Sequence, residues 1–207
     1  PGTINESSLL SGDANNYLAS VVIGDAQAAI AYADISTGDF FITVIKRDTA
    51  AFRSELARIA PREALYHDAS DSGDSALETE LFAGEISRAR INDWLYDQQY
   101  LDERIRSFYG VSSVRGMELE GETFLAAGSL IEYIRQSFRA ERSMLKLPRV
   151  YSPADYLILD ESAVRNLDLV RNSEGTRERT LLSAMDRTQS AGGKRFLERN
   201  ILRPLVN

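Results

Sequence analysis

The sequence has no cysteine, which excludes disulfides and thiolate metal sites. It has a single histidine, His67, which argues against a histidine-based metal centre or a catalytic triad; that residue reads most simply as a surface group at a strand end. Apolar runs fall well short of the ~20 residues of a membrane span, and no signal peptide is visible, so a soluble cytoplasmic protein with no membrane partner is the expectation. Positive charge is scarce as well. The net charge of -7 argues against a stand-alone nucleic-acid binder, because neutralising phosphate takes a basic face. The deficit is uneven: residues 1–120 hold 10 Lys and Arg against 20 Asp and Glu, whereas residues 121–207 hold 14 against 11. Two segments of different character follow from that split. What is present suffices for a core, since 207 residues at 43% apolar suit one large domain or two small ones. The chain starts Pro1-Gly2-Thr3 and ends just after a helix stop, so a piece of a longer protein is expected.

After a leader over residues 1–13, three strand-like runs arrive at 17–23, 28–35 and 40–46. Gly24-Asp25 and Thr37-Gly38-Asp39 separate them, which is hairpin punctuation, and three antiparallel strands are the simplest reading. The second run, Ala29 to Ile35, is apolar on both faces and belongs in the middle of its sheet. Thr49 is placed to cap a helix carrying Phe52, Leu56 and Ile59, which Pro61 ends. The following "REALYH" reads as a strand parallel to the meander, with the helix as crossover. A polar loop over 68–75, a short helix with Leu77, Leu81 and Phe82, and a core anchor at Trp94-Leu95-Tyr96 come next. Residues 98–109 form an amphipathic helix with Leu101, Ile105 and Phe108 inward, stopped by Gly110. Residues 122–139 form a long helix with a broad apolar stripe from Phe124 to Phe138, and an extended run held by Pro148 and Pro153 leaves it.

The last fifty residues read as three helices with short joints. Asp160 caps the first, where Ala163, Leu167 and Val170 mark one buried face. The loop Asn172 to Gly175 breaks that pattern, and a short helix with Leu181, Leu182 and Met185 follows. The third begins near Ser190, carries Phe196, Leu197 and Ile201, and stops at Pro204. The fold class is therefore α/β followed by α: the βββαβα order matches a ribonuclease-H-like mixed sheet with flanking helices, and a helical segment completes the chain.

Several stretches resemble the MutS family of DNA mismatch-recognition ATPases. "LILDESAVRNLDLVRN" and "TLLSAMDRTQSAGGKRFLERNILRPL" are similar to the start of that family's core, or lever, domain. Matching positions include Leu157, Leu159, Asp160, Asn166, Leu167, Leu169, Leu181, Leu182, Asp186, Thr188, Ser190, Gly193, Arg195, Leu197, Ile201 and Pro204. Ala191 and Gly192 stand where the family has Pro-Met, and Asn200 where it has Trp. Upstream, "PGT", "NNYLA", "ADISTGDF" and "FYGVSSVRGMELE" resemble the connector domain, so the likeness covers the whole chain. The resemblance implies a ribonuclease-H-like connector over 1–140 that includes the linking helix, and the beginning of the lever over 141–207. It also implies that the mismatch reader precedes Pro1 and the ATPase follows Asn207. The parent would then use ATP and Mg, form a homodimer, bind mismatched DNA and recruit MutL. This chain would transmit between reader and motor, with no cofactor and no catalysis of its own.

Four sets of residues are candidates for chemistry. Asp34, Asp39 and one of Glu63 or Asp102 would be the carboxylates of the alternative function, a metal-dependent ribonuclease-H-like nuclease or resolvase, which needs several convergent acids to hold two ions. The simpler reading makes Asp34 to Asp39 a turn, because Asp, Ser and Thr bond the backbone there. Gly192-Gly193-Lys194-Arg195 lacks the spacing of a phosphate loop, and small residues there suit a close approach of two helices. Arg165, Arg171, Arg177, Arg179, Arg195, Arg199 and Arg203 could meet DNA phosphate, but salt bridges to Asp160, Asp168 and Glu198 explain them as well. Finally, burial of Leu101, Ile105 and Phe108 turns Asp102, Glu103 and Arg106 outward with Arg104 at the border, a face suited to docking MutL or simply to solvent.

Overall fold

A computed structural model of the chain describes residues 16–68, 87–90, 97–138, 145–157, 159 and 161–206. Among these, one compact unit ends at Pro153 and a second begins at Ala154.

The first unit is built on a mixed sheet. β1 (Leu18–Ile23), β2 (Gln27–Asp34) and β3 (Asp39–Lys46) form the antiparallel meander read from the punctuation. β4 (Glu63–Asp68) lies parallel to β1, β5 (Ser87–Arg90) parallel to β4, and β6 (Arg149–Tyr151) parallel to β3. The order is β5-β4-β1-β2-β3-β6, which puts the two-sided apolar run, β2, centrally as its pattern requires. β5 is a strand that sequence reasoning missed, because Ser87-Arg88-Ala89-Arg90 has no apolar run and only an edge position tolerates it. Of the loop expected at 68–75, Asp68 is the last residue of β4; the rest of it, the short helix at 77–82 and the aromatic anchor at 94–96 lie outside the described residues.

Helix α1 (Thr49–Ile59) crosses from β3 to β4, so that Leu18 pairs with Glu63 in parallel register. Its cap is Asp48 rather than Thr49: the Asp48 carboxylate accepts the Ala51 N–H at 2.8 Å, and Thr49 is already helical. Asp is at least as good a cap as Thr, and here it sits one residue earlier. Helix α2 (Gln98–Tyr109) matches its expected bounds, with Asp97 accepting from Tyr100 N–H at 2.7 Å and Gly110 closing it at φ 66. Leu101, Ile105 and Phe108 are its buried residues.

Helix α3 (Gly121–Phe138) follows a 3-10 turn at Arg115–Met117 and lies across the sheet. Ala126, Ala127, Leu130, Ile131 and Ile134 are buried against Leu18, Val22, Ala29, Ala31, Phe40 and Ile42. Each large aliphatic side chain sunk there stabilises the unit by about 1.5–3 kcal/mol. α2 packs on α3 at Gly128, where an added Cβ would come within 3.0 Å of the Leu101 Cβ. The close approach of two helices over a small residue therefore occurs here, in the first unit.

The second unit holds α4 (Glu161–Asn166), α5 (Leu181–Met185) and α6 (Ala191–Leu202). The expected continuous face Ala163, Leu167, Val170 does not form, because α4 stops at Asn166 and leaves Leu167 63% exposed. The cause is a left-handed stop: Asp168 takes φ 46, while its N–H bonds Arg165 O and that of Leu169 bonds Val164 O, both at 3.1 Å. That 6→1, 5→2 pair is a Schellman turn, with Asp in place of the usual Gly. Val170 is buried in the loop that follows, not on the helix. α5 carries a capping box in which Thr180 and Ser183 satisfy each other's backbone N–H, and Leu182 alone among its residues is buried. α6 starts at its expected cap, Ser190, and has no fully buried residue.

Candidate functional site

The outer face of α2 stands as the helical period requires. Glu103 is exposed, and Asp102 accepts from the Arg106 Nε at 2.6 Å with both side chains more than a third exposed. Arg104 lies at the border, its guanidinium carbon 4.7 Å from the centroid of the Tyr100 ring. A pair as exposed as Asp102 and Arg106 is worth less than about 1 kcal/mol, so a partner can redirect either charge at little cost. Beside this face, Gln98, Gln99 and Asp102 join Leu119, Glu120, Gly121 and Phe124 around a shallow open groove. Sequence reading missed the groove, because residues 119–121 sit beside α2 only through the packing of α3.

The inner side of the same helix meets a buried carboxylate. Glu132 of α3 is buried and accepts from Tyr100 Oη at 2.9 Å, from Arg135 Nε and Nη2 at 2.8 Å, and from Gln136 Nε2 at 2.8 Å. Burial alone would raise its pKa, but the bonds from Arg135, Gln136 and Tyr100 outweigh it and hold the carboxyl below the ordinary glutamate value. On the same helix, burial and the neighbouring Glu63 carboxylate push the Tyr133 hydroxyl up to about 12.

The acids considered for metal chemistry have other occupations. Asp34 Oδ1 accepts from Ser36 N at 2.8 Å and Ser36 Oγ at 2.5 Å, and Gly38 closes the turn at φ 72 by donating to Asp34 O at 2.8 Å. This is the turn that the Asp-Ser-Thr-Gly run suggests. Asp39 faces Asp34 across the β2–β3 pair and binds Lys146 Nζ at 2.8 Å. Glu63 accepts the Tyr133 hydroxyl, and Asp102 is paired as above. Among the described residues no group of three or more His, Cys, Asp or Glu is gathered in a way that could hold a metal ion. His67 lies in β4 opposite Val22, half-buried.

In the second unit, Gly193 donates its N–H to Ser190 Oγ at 3.1 Å, and an added Cβ would meet Thr188 and Ser190 of the same turn. A Cβ at Gly192 would meet nothing within 4 Å. The glycines therefore serve the start of α6; among the described residues they do not let two helices approach, as their size had suggested. Of the arginines, Arg177 pairs with Glu198 at 3.1 Å, as expected for one of the three acids named. Arg171 donates to Gly175 O at 3.1 Å, Arg199 lies over the Phe196 ring and Arg203 over the Tyr156 ring. Arg179 is exposed in the left-handed region at φ 57. No described helix is long and apolar enough to cross a membrane.

Comparison with known proteins adds to this geometry. Residues 16–146 match the family model described as MutS domain II, and residues 162–207 the one described as MutS domain III. Over its whole length the chain is 34% identical to the DNA mismatch repair protein MutS of Ehrlichia chaffeensis, covering 25% of that protein. It is 35% identical to the MutS of Acaryochloris marina, also covering 25%, and 32% identical to that of Wolbachia pipientis, covering 24%. The chain spans about a quarter of the length of the curated relatives it matches.

Proposed function

The chain belongs to the MutS family of DNA mismatch repair proteins, and on that premise we propose that it couples mismatch binding to ATPase state and offers a docking face to MutL. Residues 1–140 act as the connector, with a ribonuclease-H-like sheet, and residues 141–207 begin the lever, with Arg149–Tyr151 returning to the connector's sheet. The observation that carries this reading is the agreement of two divisions. The domain II match falls on the sheet-bearing unit and the domain III match on the helical unit. A rigid sheet joined to a helical element suits transmission, because packed elements pass on displacement rather than absorb it. The parent then supplies ATP, Mg, the mismatch reader and the second copy of the dimer, in the cytoplasm.

The docking face is Asp102, Glu103, Arg104 and Arg106. Glu103 is exposed and the other three are partly so, on a capped helix whose core contacts are made by Leu101, Ile105 and Phe108, as a transient partner requires. The test exchanges Asp102→Arg with Arg106→Asp, which keeps the ion pair, and adds Glu103→Arg. In the 207-residue chain these changes cost a few tenths of a kcal/mol and shift the melting temperature by about 1 °C. In the full-length protein they leave mismatch binding unchanged and weaken MutL recruitment several-fold, because rim charges govern association. Recruitment at the original level would place the docking site elsewhere.

A further inference from the structure

Beyond that reading, and independent of it, stands the segment 145–151, which closes the edge of the first unit's sheet. Leu145 is sunk in the core. Lys146 donates its backbone N–H to Gly38 O at 2.7 Å and accepts the Tyr109 hydroxyl at 2.9 Å, while its ammonium binds Asp39. Leu147 then swings outward, 57% exposed, and Arg149 and Val150 are exposed too. Among the described residues β6 pairs only with Phe41, Ile42 and Thr43. A parallel strand of three residues is too short to stay seated by its backbone ladder alone.

Tyr151 supplies what the ladder lacks. Its hydroxyl donates to Glu55 Oε1 at 2.5 Å, accepts from Arg58 and from Tyr32 Oη, the latter at 3.2 Å, and so uses both its donor and its acceptor capacity. Its ring stands edge-on to Tyr32 and Phe41, with centroids 6.3 and 6.5 Å away, and Arg58 lies over it. These partners belong to α1, β2 and β3, so one side chain joins the segment to three elements. Glu55 is buried, and without the Tyr151 hydroxyl its carboxylate and the Tyr32 hydroxyl each lose a partner while the segment is seated. If the segment lifts, water reaches both. The cost of losing the hydroxyl therefore falls on the seated state alone.

We propose that residues 145–151 are a strap that seats on and lifts from the sheet as one piece, with Tyr151 as its lock. The strap is covalently continuous with the second unit, which begins at Ala154. Lifting lengthens that tether by the span of residues 145–153, up to about 30 Å of extended chain. Apart from Leu145, which leaves with the strap, the sheet keeps its core, since α3 covers β1, β2 and β3 whether the strap is seated or not.

Amide hydrogen exchange on the 207-residue chain tests this, because exchange reads local opening separately from global unfolding. Tyr151→Phe, which keeps the ring and removes the hydroxyl, speeds exchange at Arg149–Tyr151 about tenfold and leaves β1 and β2 unchanged. Lys146→Ala removes only an exposed ion pair and changes strap exchange less than about threefold. The proposal is overturned if Tyr151→Phe leaves the strap's exchange at the original rate, if it speeds β1 and β2 equally, or if Lys146→Ala loosens the strap as much.

Discussion

At the residue scale, the buried carboxylate of Glu132 makes part of the first unit's stability sensitive to acid. Its folded pKa is lowered by Arg135, Gln136 and Tyr100 against the opposing effect of burial. A lowered value means that the unfolded chain binds the proton first, so the stability Glu132 contributes is complete above the ordinary glutamate range. It is lost as the pH falls through the lowered value. Glu132→Gln gives up the charge and weakens these bonds, at a cost of about 1–3 kcal/mol near neutral pH. Urea unfolding of both proteins from pH 7 downward should show the gap close as the parent's carboxyl takes up its proton. A gap constant down to pH 2 would mean that the loss is one of packing. None of this was legible in "LIEYIRQ", where Glu132 looks like one more solvated helix charge. Only the packing of α2 on α3 turns it inward to Tyr100.

At the element scale, the same substitution has opposite signs on two helices. Gly128 lies in α3 under Leu101, with an added Cβ 3.0 Å from the Leu101 Cβ and 3.0 Å from Cδ1. Leu101 is completely buried, so rotating it moves the clash without removing it. Gly128→Ala gains about 1 kcal/mol of helix propensity and loses more to overpacking, for a net destabilisation of about 1–2 kcal/mol. Gly192→Ala in α6 meets nothing within 4 Å and should stabilise the second unit by up to about 1 kcal/mol. Denaturant midpoints of the two variants check the pair, and a stabilised Gly128→Ala would show that α2 and α3 can separate freely. Helix bounds were legible wherever a cap and a stop flank an apolar period, as at Asp97 and Gly110 of α2. They were misread where a single Asp takes a left-handed conformation, as Asp168 does.

At the scale of the whole molecule, the two units differ in how well they bury themselves. α3 and the sheet enclose a continuous core in the first. In the second, Leu157, Phe196, Leu205 and Val206 are each more than half exposed. Exposed apolar groups of this size promote association, and helices with few buried contacts open easily. The isolated chain should therefore self-associate as its concentration rises, with amides after Tyr156 exchanging faster than those of β1 and β2. Sedimentation and exchange measurements check this together, and Phe196→Glu should reduce the association. Uniformly slow exchange through Pro204 in a monomer would contradict it.

By itself the sequence determined the meander, the α1 crossover, the bounds of α2 and α6, and the family. Each of these rests on local signals: alternation, period, caps and a long pattern with fixed gaps. Tertiary structure alone decided that Ser87–Arg90 and Arg149–Tyr151 are the outer strands of one sheet, since neither carries an apolar run and each is a strand only because a neighbour offers an edge. It also decided that Tyr151 meets Glu55 and Tyr32, partners 96 and 119 residues away. No local pattern encodes such a contact, because it depends on which elements the remaining apolar surface brings together.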